Sequence, residues 1–200
     1  MYKRQPVIPA VTIADQSLTA GVPFSLNLAS GLTAGAPTPT YSFAPSFTPP
    51  AWLTLNGSTI SGTPPIADYT APTNLEAINL RATNVGGHTD FTVNLNIARA
   101  VAPGISSIAN QYATQGVAFS LDLSSHLAGT PTPTLSATSL PTWLHVQGNS
   151  LVGTPSGFTA NQTERITVTA TNVVSSVSTS FNLYIEWVVI HLLNLLQVVQ

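Results

Sequence analysis

The chain has no cysteine among its 200 residues and very few charged residues. The missing cysteine excludes disulfide bonds, thiolate zinc sites and cysteine nucleophiles together. Charged residues make up only 6% of the chain, whereas soluble domains typically carry about 25%. The five basic residues are scattered, so no basic stripe is present to neutralise a phosphate backbone. We therefore expect no nucleic-acid partner.

Uncharged polar residues and turn formers take the place of the missing charge. The sequence contains 27 Thr and 20 Ser, together with 16 Pro and 13 Gly. Threonine is β-branched and suits the pleated, half-buried surface of a sheet. Proline and glycine interrupt strands and form turns. The composition therefore predicts an all-β protein built from many short strands.

The two halves of the chain contain the same sequence blocks in the same order. The matching blocks are Gly21–Leu28 with Gly116–Leu123, Ala34–Thr40 with Ala128–Thr134, Pro50–Leu53 with Pro141–Leu144, Gly62–Pro64 with Gly153–Pro155, and Ala82–Val85 with Ala170–Val173. An internal repeat of this length predicts tandem homologous domains.

Apolar and polar residues alternate inside the repeated blocks. The alternating apolar residues are Ile78, Leu80 and Ala82 in the first half, Ile166, Val168 and Ala170 in the second, and those of the final strands Phe91–Ile97 and Phe181–Ile185. Alternation with a period of two predicts antiparallel strands that have one buried and one solvated face.

A hairpin is predicted after each Trp-Leu pair. Asn56-Gly57 supplies the positive φ angles of a tight turn, and Gln147-Gly148-Asn149 stands in its place in the second half. We expect Trp52 and Trp143 to begin the first arm and to lie in the core as its largest side chains. The Gly-Thr-Pro that follows should end the second arm, because proline cannot donate to a strand ladder.

The predicted domains are two immunoglobulin-like sandwiches. Each half offers about seven short strands, the number typical of that fold. We expect sandwiches at residues 7–98 and 104–187, joined end to end by the linker 99–103. Residues 1–6 match nothing in the repeat, and we expect them to be a translated sequencing adapter or disordered. The apolar tail 188–200 is shorter than the roughly twenty residues of a membrane-spanning helix, and we expect it to project outside the second core.

The order of the motifs carries a resemblance to a known family. In the first half it runs Asp15-Gln16, Gly21–Ser25, Pro50–Leu53, Gly62–Pro64 and Ala82–Asn84, and the second half repeats it. This order resembles the putative-Ig and dystroglycan-type cadherin-like repeats of large bacterial surface and secreted proteins. The resemblance implies a β-sandwich fold. It also implies service as a spacer, an adhesion unit or an accessory domain.

Calcium is the cofactor that this resemblance brings into consideration, because cadherin-like relatives often bind it. The candidate ligands are Asp15 and Asn84 in the first domain and Asp122 and Asn172 in the second. Calcium takes about six to eight oxygens with several carboxylates among them, yet no acidic cluster stands in the sequence. Asn84 and Asn172 replace an aspartate that relatives often carry. We therefore expect turn and capping roles for these residues, and no cofactor.

The sequence shows no motif that would bring a nucleophile and a general base together. The four histidines, His88, His126, His145 and His191, have no common spacing and are not shared between the repeats. No Gly-x-Ser-x-Gly nucleophile elbow is present. We therefore expect that the chain is not an enzyme.

Aromatic residues are the candidates for a carbohydrate site. They are Tyr41, Phe43 and Phe47 in the first half, and Tyr112, Tyr184 and Trp187 in the second. A sugar site needs exposed aromatic rings beside polar groups. We expect most of these rings to pack in a core or at the joint between the domains, and a shallow sugar site is the alternative.

The favoured function is that of a non-enzymatic module, located outside the cell or at its surface. We expect the chain to be a fragment of a longer surface, secreted or phage-structural protein, in which it acts as a spacer or adhesion unit. The alternatives are a carbohydrate-binding accessory domain of a larger secreted enzyme and calcium-dependent cadherin-like adhesion. The expected partners are a protein or carbohydrate ligand and the adjacent repeats of the parent chain.

Overall fold

Short alternating segments, separated by proline and glycine, fold into strands along the whole repeat. The computed structural model describes residues 6–187. In this range it has eighteen strands and two short 3₁₀ turns, and it divides into two units between Val101 and Ala102. No helix in the same range is long and apolar enough to cross a membrane. The predictions for residues 1–5 and 188–200 lie outside the described residues.

The first unit consists of three sheets. Its strands are β1 Val7–Val11, β2 Gln16–Thr19, β3 Phe24–Asn27, β4 Leu32–Ala36, β5 Thr40–Phe43, β6 Leu53–Asn56, β7 Thr59–Gly62, β8 Thr73–Asn84 and β9 Gly87–Ala98. A four-stranded sheet has the order β2-β9-β8-β5, and a three-stranded sheet has the order β3-β7-β6. Strands β1 and β4 form a separate antiparallel pair. Only β2 joins its neighbour in parallel among these described pairs.

The second unit repeats this arrangement strand for strand. Its strands are β10 Val101–Ile105, β11 Gln111–Thr114, β12 Phe119–Asp122, β13 Leu127–Thr130, β14 Thr134–Thr138, β15 Leu144–Gln147, β16 Ser150–Gly153, β17 Gln162–Thr171 and β18 Ser176–Glu186. Its sheets have the orders β11-β18-β17-β14, β12-β16-β15 and β10-β13. The predicted all-β fold with two repeated sandwiches is confirmed.

Each unit has a core of its own, built from the residues that alternate inward. Ile78, Leu80 and Ala82 on β8 are fully buried, and so are Ile166, Val168 and Ala170 on β17. In the first unit, Ile60 of the three-stranded sheet belongs to the same buried cluster as Ile78 and Leu80. In the second unit, Leu151 of the three-stranded sheet belongs to the same buried cluster as Ile166 and Val168. The two sheets of each sandwich therefore bury their inner faces against each other.

The structure has nine strands in each unit, whereas the sequence predicted about seven. Strands β1 and β4, with β10 and β13 in the second unit, account for much of the difference. Pro9 interrupts β1 and Gly35 interrupts β4, so neither segment shows a clean alternation. Strand β10 begins at Val101 inside the predicted linker 99–103, so that only Arg99 and Ala100 separate it from β9. The end-to-end arrangement of the two units stays a prediction.

The tryptophans lie at the margin of the core, which corrects the prediction that they fill it. Trp52 and Trp143 come one residue before β6 and β15, and both are half-buried. Each indole packs on the glycine of the following Gly-Thr-Pro: a Cβ added to Gly62 would approach Trp52 Cε3 to 2.8 Å, and one added to Gly153 would approach Trp143 Cε3 to 3.0 Å. Glycine is needed at these two positions because a Cβ would clash with the backbone carbonyl oxygen of the same tryptophan, which lies nearer than the ring.

The predicted hairpins are present; the first turn lies one residue later than predicted, and the second lies within the predicted Gln147-Gly148-Asn149. Strand β6 includes Asn56, and the turn is formed by Gly57 and Ser58. Gly57 has a φ of +58° and Gly148 in the second unit has +60°, the left-handed conformation that such turns require.

Candidate functional site

The two aspartates among the calcium candidates are engaged in local hydrogen bonds. Asp15 Oδ1 accepts a hydrogen bond from Asn94 Nδ2 at 2.9 Å. Asp122 Oδ1 accepts one from the backbone N–H of Ser124 at 2.9 Å, and hydrogen bonding by the Ser124 side chain and backbone lowers the pKa of Asp122. Asn27 Oδ1 likewise accepts from the backbone N–H two residues later, that of Ala29, in the first unit. Because a neutral amide accepts this hydrogen bond in the first unit, the equivalent position of Asp122 does not require a carboxylate.

Asn84 ties together three segments of the first unit. Its Nδ2 donates to the backbone carbonyl of Val7 at 2.7 Å and to that of Pro37 at 2.9 Å. Its Oδ1 accepts from the backbone N–H of Gly86 at 2.8 Å. One side chain thus joins β1, the turn after β4 and the β8-β9 turn, which agrees with the turn and capping role expected for it.

Asn172 makes equivalent contacts in the second unit. Its Nδ2 donates to the carbonyl of Pro131 at 3.0 Å, and its Oδ1 accepts from the N–H of Val174 at 3.0 Å. An aspartate lacks the donor that holds these carbonyl oxygens. The Asn of the Ala-Thr-Asn motif is therefore suited to holding backbone segments together.

Asp15 and Asn84 lie near opposite ends of the β8-β9 hairpin. Asp15 contacts Asn94, whereas Asn84 pairs with Gly87 beside the turn. Asn94 comes seven positions after Gly87 on β9, which is about 23 Å of strand. Within residues 6–187, no three His, Cys, Asp or Glu side chains come together as a metal site would require. Asp15 and Asn84 therefore offer no converging set of oxygens for calcium.

The histidines lie on unrelated elements. His88 is on β9, His126 ends the 3₁₀ turn Ser124–His126, and His145 is on β15; His191 lies outside the described residues. The exposed Ser106 Oγ lies 2.9 Å from His126 Nδ1. No carboxylate of the described chain bonds to His126, so the pair lacks the third group that would orient the ring as a general base.

The aromatic residues of the first unit line a groove and also support the core. Tyr41 and Phe43 on β5 face a depression of about 640 Å³ together with Leu55. Tyr41 meets Phe91 edge to face at 6.5 Å between ring centroids, and Phe43 lies 5.9 Å from Phe47. All of these rings pack against the first core. Burial raises the pKa of Tyr41.

Two tyrosines of the second unit stand on the solvent side of its four-stranded sheet. Tyr112 on β11 and Tyr184 on β18 are register partners, and their rings stack with centroids 5.2 Å apart and planes 26° apart. Tyr112 is 70% exposed. The sequence held a signal for this arrangement: Tyr184 lies between the buried Leu183 and Ile185, so alternation points it outward.

Polar side chains lie beside the tyrosine pair and were not predicted as site residues. Arg165 on β17 is the register partner of Asn182 on β18, and Asn110 Oδ1 accepts a hydrogen bond from the backbone of Asn182 at 3.1 Å. These three residues line a shallow depression of about 240 Å³. We refer to Asn110, Tyr112, Arg165, Asn182 and Tyr184 as the tyrosine face.

Family comparison decides what kind of repeat this is. Residues 5–98 and residues 102–186 each match the family described as "Putative Ig domain". The chain belongs to the Putative Ig domain family. The predicted resemblance to putative-Ig tandem repeats is thereby confirmed, while its cadherin-like component stays a prediction.

Solved structures of tandem Ig domains resemble this Putative Ig domain pair. A chimeric titin Z1Z2 functionalised with a peptide from decorin is 17% identical, with a TM-score of 0.52 over 93% of this chain and 99% of that chain. Sidekick-1 immunoglobulin domains 1–5 are 15% identical, with a TM-score of 0.51 over 92% of this chain and 40% of that one. The endo-fucoidan hydrolase MfFcnA4 is 22% identical, with a TM-score of 0.48 over 92% and 30% of the two chains. No curated protein matches the chain.

At these identities the likeness to the titin and Sidekick-1 structures shows the fold alone. The Putative Ig domain pair spans 40% of the Sidekick-1 chain and 30% of the hydrolase chain, so what those larger proteins do is not transferred to it. An Ig-like sandwich is generally a non-catalytic framework, and any function has to be argued from the surface of this particular pair.

Proposed function

We propose that the chain is a non-enzymatic structural and adhesion module of a larger protein, located outside the cell or at its surface. The observation that carries the proposal is the repetition itself: two units with the same strand order, each with its own buried core. Units of this kind add length and binding surface to a protein without requiring a shared active site. The extracellular location rests on the resemblance to repeats of bacterial surface and secreted proteins.

The polar residues support the same proposal because they stabilise the sandwiches. Asn84 and Asn172 hold backbone segments together, and Asp122 accepts a hydrogen bond from the first residue of a 3₁₀ turn. Ser106 and His126 touch, but the contact lacks a carboxylate among the described residues. Within residues 6–187, the side chains most often used in catalysis thus have no catalytic partner or serve local structure.

The carbohydrate-binding alternative has one specific observation in its favour, the exposed tyrosine face of the second unit. Calcium-dependent adhesion lacks comparable support, because Asp15 and Asn84 lie near opposite ends of one hairpin and already have hydrogen-bond partners.

Single-molecule force spectroscopy tests the spacer role. A module of two separate cores, pulled from its ends, should unfold in two distinct events. Each event should release about 30 nm of chain, as expected for roughly ninety residues at about 3.5 Å per residue. One event that releases about 60 nm, or a gradual extension without force peaks, would contradict the proposal. A chain reduced to residues 101–187 is the matched control and should give one event.

A further inference from the structure

The tyrosine face forms a small grid over three neighbouring strands. Tyr112 and Tyr184 are partners across β11 and β18. Asn182 and Arg165 are partners across β18 and β17, two residues away from the tyrosines along β18. Strands lie about 4.8 Å apart and alternate residues about 6.7 Å apart. A row of two tyrosines therefore lies beside a row of hydrogen-bond donors, Asn182 and Arg165. The distance between the rows matches the size of one sugar ring with its substituents.

The first unit folds without these side chains. Ile78 pairs with Val93 in the first unit as Ile166 pairs with Phe181 in the second, which aligns the two hairpins. In that alignment Ser17, Asn96 and Ala77 stand where the second unit has Tyr112, Tyr184 and Arg165. The sandwich does not require two stacked tyrosines and an arginine at these positions. Their presence in the second unit points to a role in binding.

Arg165 is available for a ligand. Within residues 6–187 the only ion pair joins Arg81 to Asp90, and Arg165 has no hydrogen-bond partner in this range. The nearest acids in sequence are Glu164, which alternation places on the opposite face, and Glu186, which lies on the same face two residues beyond Tyr184. Along the sheet, Tyr184 separates Arg165 from Glu186. The row that contains Asn182 and Arg165 therefore carries a positive charge with no carboxylate beside it.

The chemistry of the two rows favours a sugar that carries a carboxylate. A tyrosine ring offers an apolar face and a polar hydroxyl, which suits the C–H face and the hydroxyls of a pyranose. A guanidinium binds a carboxylate through two parallel hydrogen bonds. We propose that the tyrosine face binds an acidic polysaccharide, with a sugar ring packed against the exposed surface of the stacked pair Tyr112 and Tyr184 and a uronate carboxylate held by Arg165. This inference rests on the proposed function of a non-enzymatic adhesion module.

Calorimetric titration of the full chain with polygalacturonate tests the proposal, and fully methyl-esterified polygalacturonate is the matched neutral ligand. We expect saturable binding to the acid form and at least about tenfold weaker binding to the ester. The double variant Y112S/Y184N introduces the residues of the first unit and should weaken binding to both forms about tenfold or more. R165A should reduce binding of the acid form to the level of the ester.

The control variant is N96A, which alters the equivalent face of the first unit and should bind as the unchanged chain does. The proposal would be overturned by no binding of polygalacturonate, by equal binding of acid and ester, or by binding that survives Y112S/Y184N. Thermal unfolding of each variant shows that it remains folded. Reducing ends measured after incubation separate the two proposals: their appearance contradicts the non-enzymatic function, whereas failure to bind leaves that function standing.

Discussion

Asn84 joins three segments of the first unit through a single side-chain amide. It donates to two backbone carbonyls and accepts from one backbone N–H. An aspartate in its place would keep the acceptor but lose the donor, and its charge would face the carbonyl oxygens of Val7 and Pro37. The position therefore requires both halves of an amide.

The amide requirement gives a prediction for the first unit. Asn84→Ala should lower its free energy of unfolding by about 2 kcal/mol, because three hydrogen bonds are lost and two carbonyls lose their partner. Asn84→Asp should cost at least as much. Urea denaturation followed by circular dichroism measures both, with Asn96→Ala as an exposed control expected to stay within about 0.5 kcal/mol. An aspartate variant as stable as the unchanged chain would show that the carbonyl contacts contribute little.

The two tryptophans differ by one hydrogen bond. Trp52 Nε1 donates to Tyr69 Oη at 2.9 Å, whereas Trp143 Nε1 is buried and has no partner among the described residues. Both rings pack edge to face on an aromatic neighbour, Tyr69 and Phe119 respectively. The packing lost on replacement by phenylalanine should therefore be similar at the two positions.

This difference predicts unequal costs for the same replacement. Trp52→Phe should destabilise the first unit by about 1 kcal/mol more than Trp143→Phe destabilises the second. Denaturation of each variant, compared with its own unchanged unit, gives the two values. Equal costs would mean that the Trp52–Tyr69 hydrogen bond adds no net stability.

At the scale of strands, the sequence predicted the elements that alternate and missed those that do not. The inward faces of β8 and β17 followed from their spacing alone. Strands β1 and β4 were not predicted because Pro9 and Gly35 interrupt the alternation of apolar and polar residues. Their pairing depends on backbone hydrogen bonds, which leave little trace in the pattern of side chains.

The candidate site was predictable only in part, for the same reason. Alternation around Tyr184 gives the outward direction of its ring, but its stacking with Tyr112 depends on the parallel register between β11 and β18. No local pattern specifies which residues of distant strands become neighbours. In the sequence, Arg165 is one of five scattered basic residues. Only the pairing of β17 with β18 shows that it lies beside Asn182.

The last strand gives a prediction about the tail. Ile185 is 1% exposed and belongs to the second core together with Leu183 and Phe181, so the described strands already fill that core. Deleting residues 190–200 should leave the melting temperature within about 2 °C and should improve solubility, because an apolar run promotes association. Calorimetry and sedimentation of the shortened chain check both. A drop of many degrees would show that these residues contribute to the second unit.

At the scale of the molecule, we expect the stability of the protein to be insensitive to calcium. A ligand that binds only the native state raises the melting temperature by mass action. The carboxylates of the described chain do not converge, so millimolar calcium should leave the melting temperature unchanged within about 1 °C. Thermal unfolding with calcium and with a chelator tests this, and magnesium controls for ionic strength. A large and saturable rise with calcium alone would reveal a site and revive calcium-dependent adhesion.

The chain consists of two Ig-like units, and each should fold without the other; expressing the halves separately tests this independence. The cut belongs between Ala100 and Val101, so that β10 stays whole. Residues 6–100 and 101–187 should each unfold cooperatively, because each has a closed core of its own. Each should also keep, within about 1 kcal/mol, the stability that hydrogen exchange measures for it in the full chain. A half that stays unfolded alone, and folds only when the other half is attached, would show that the two units do not fold independently.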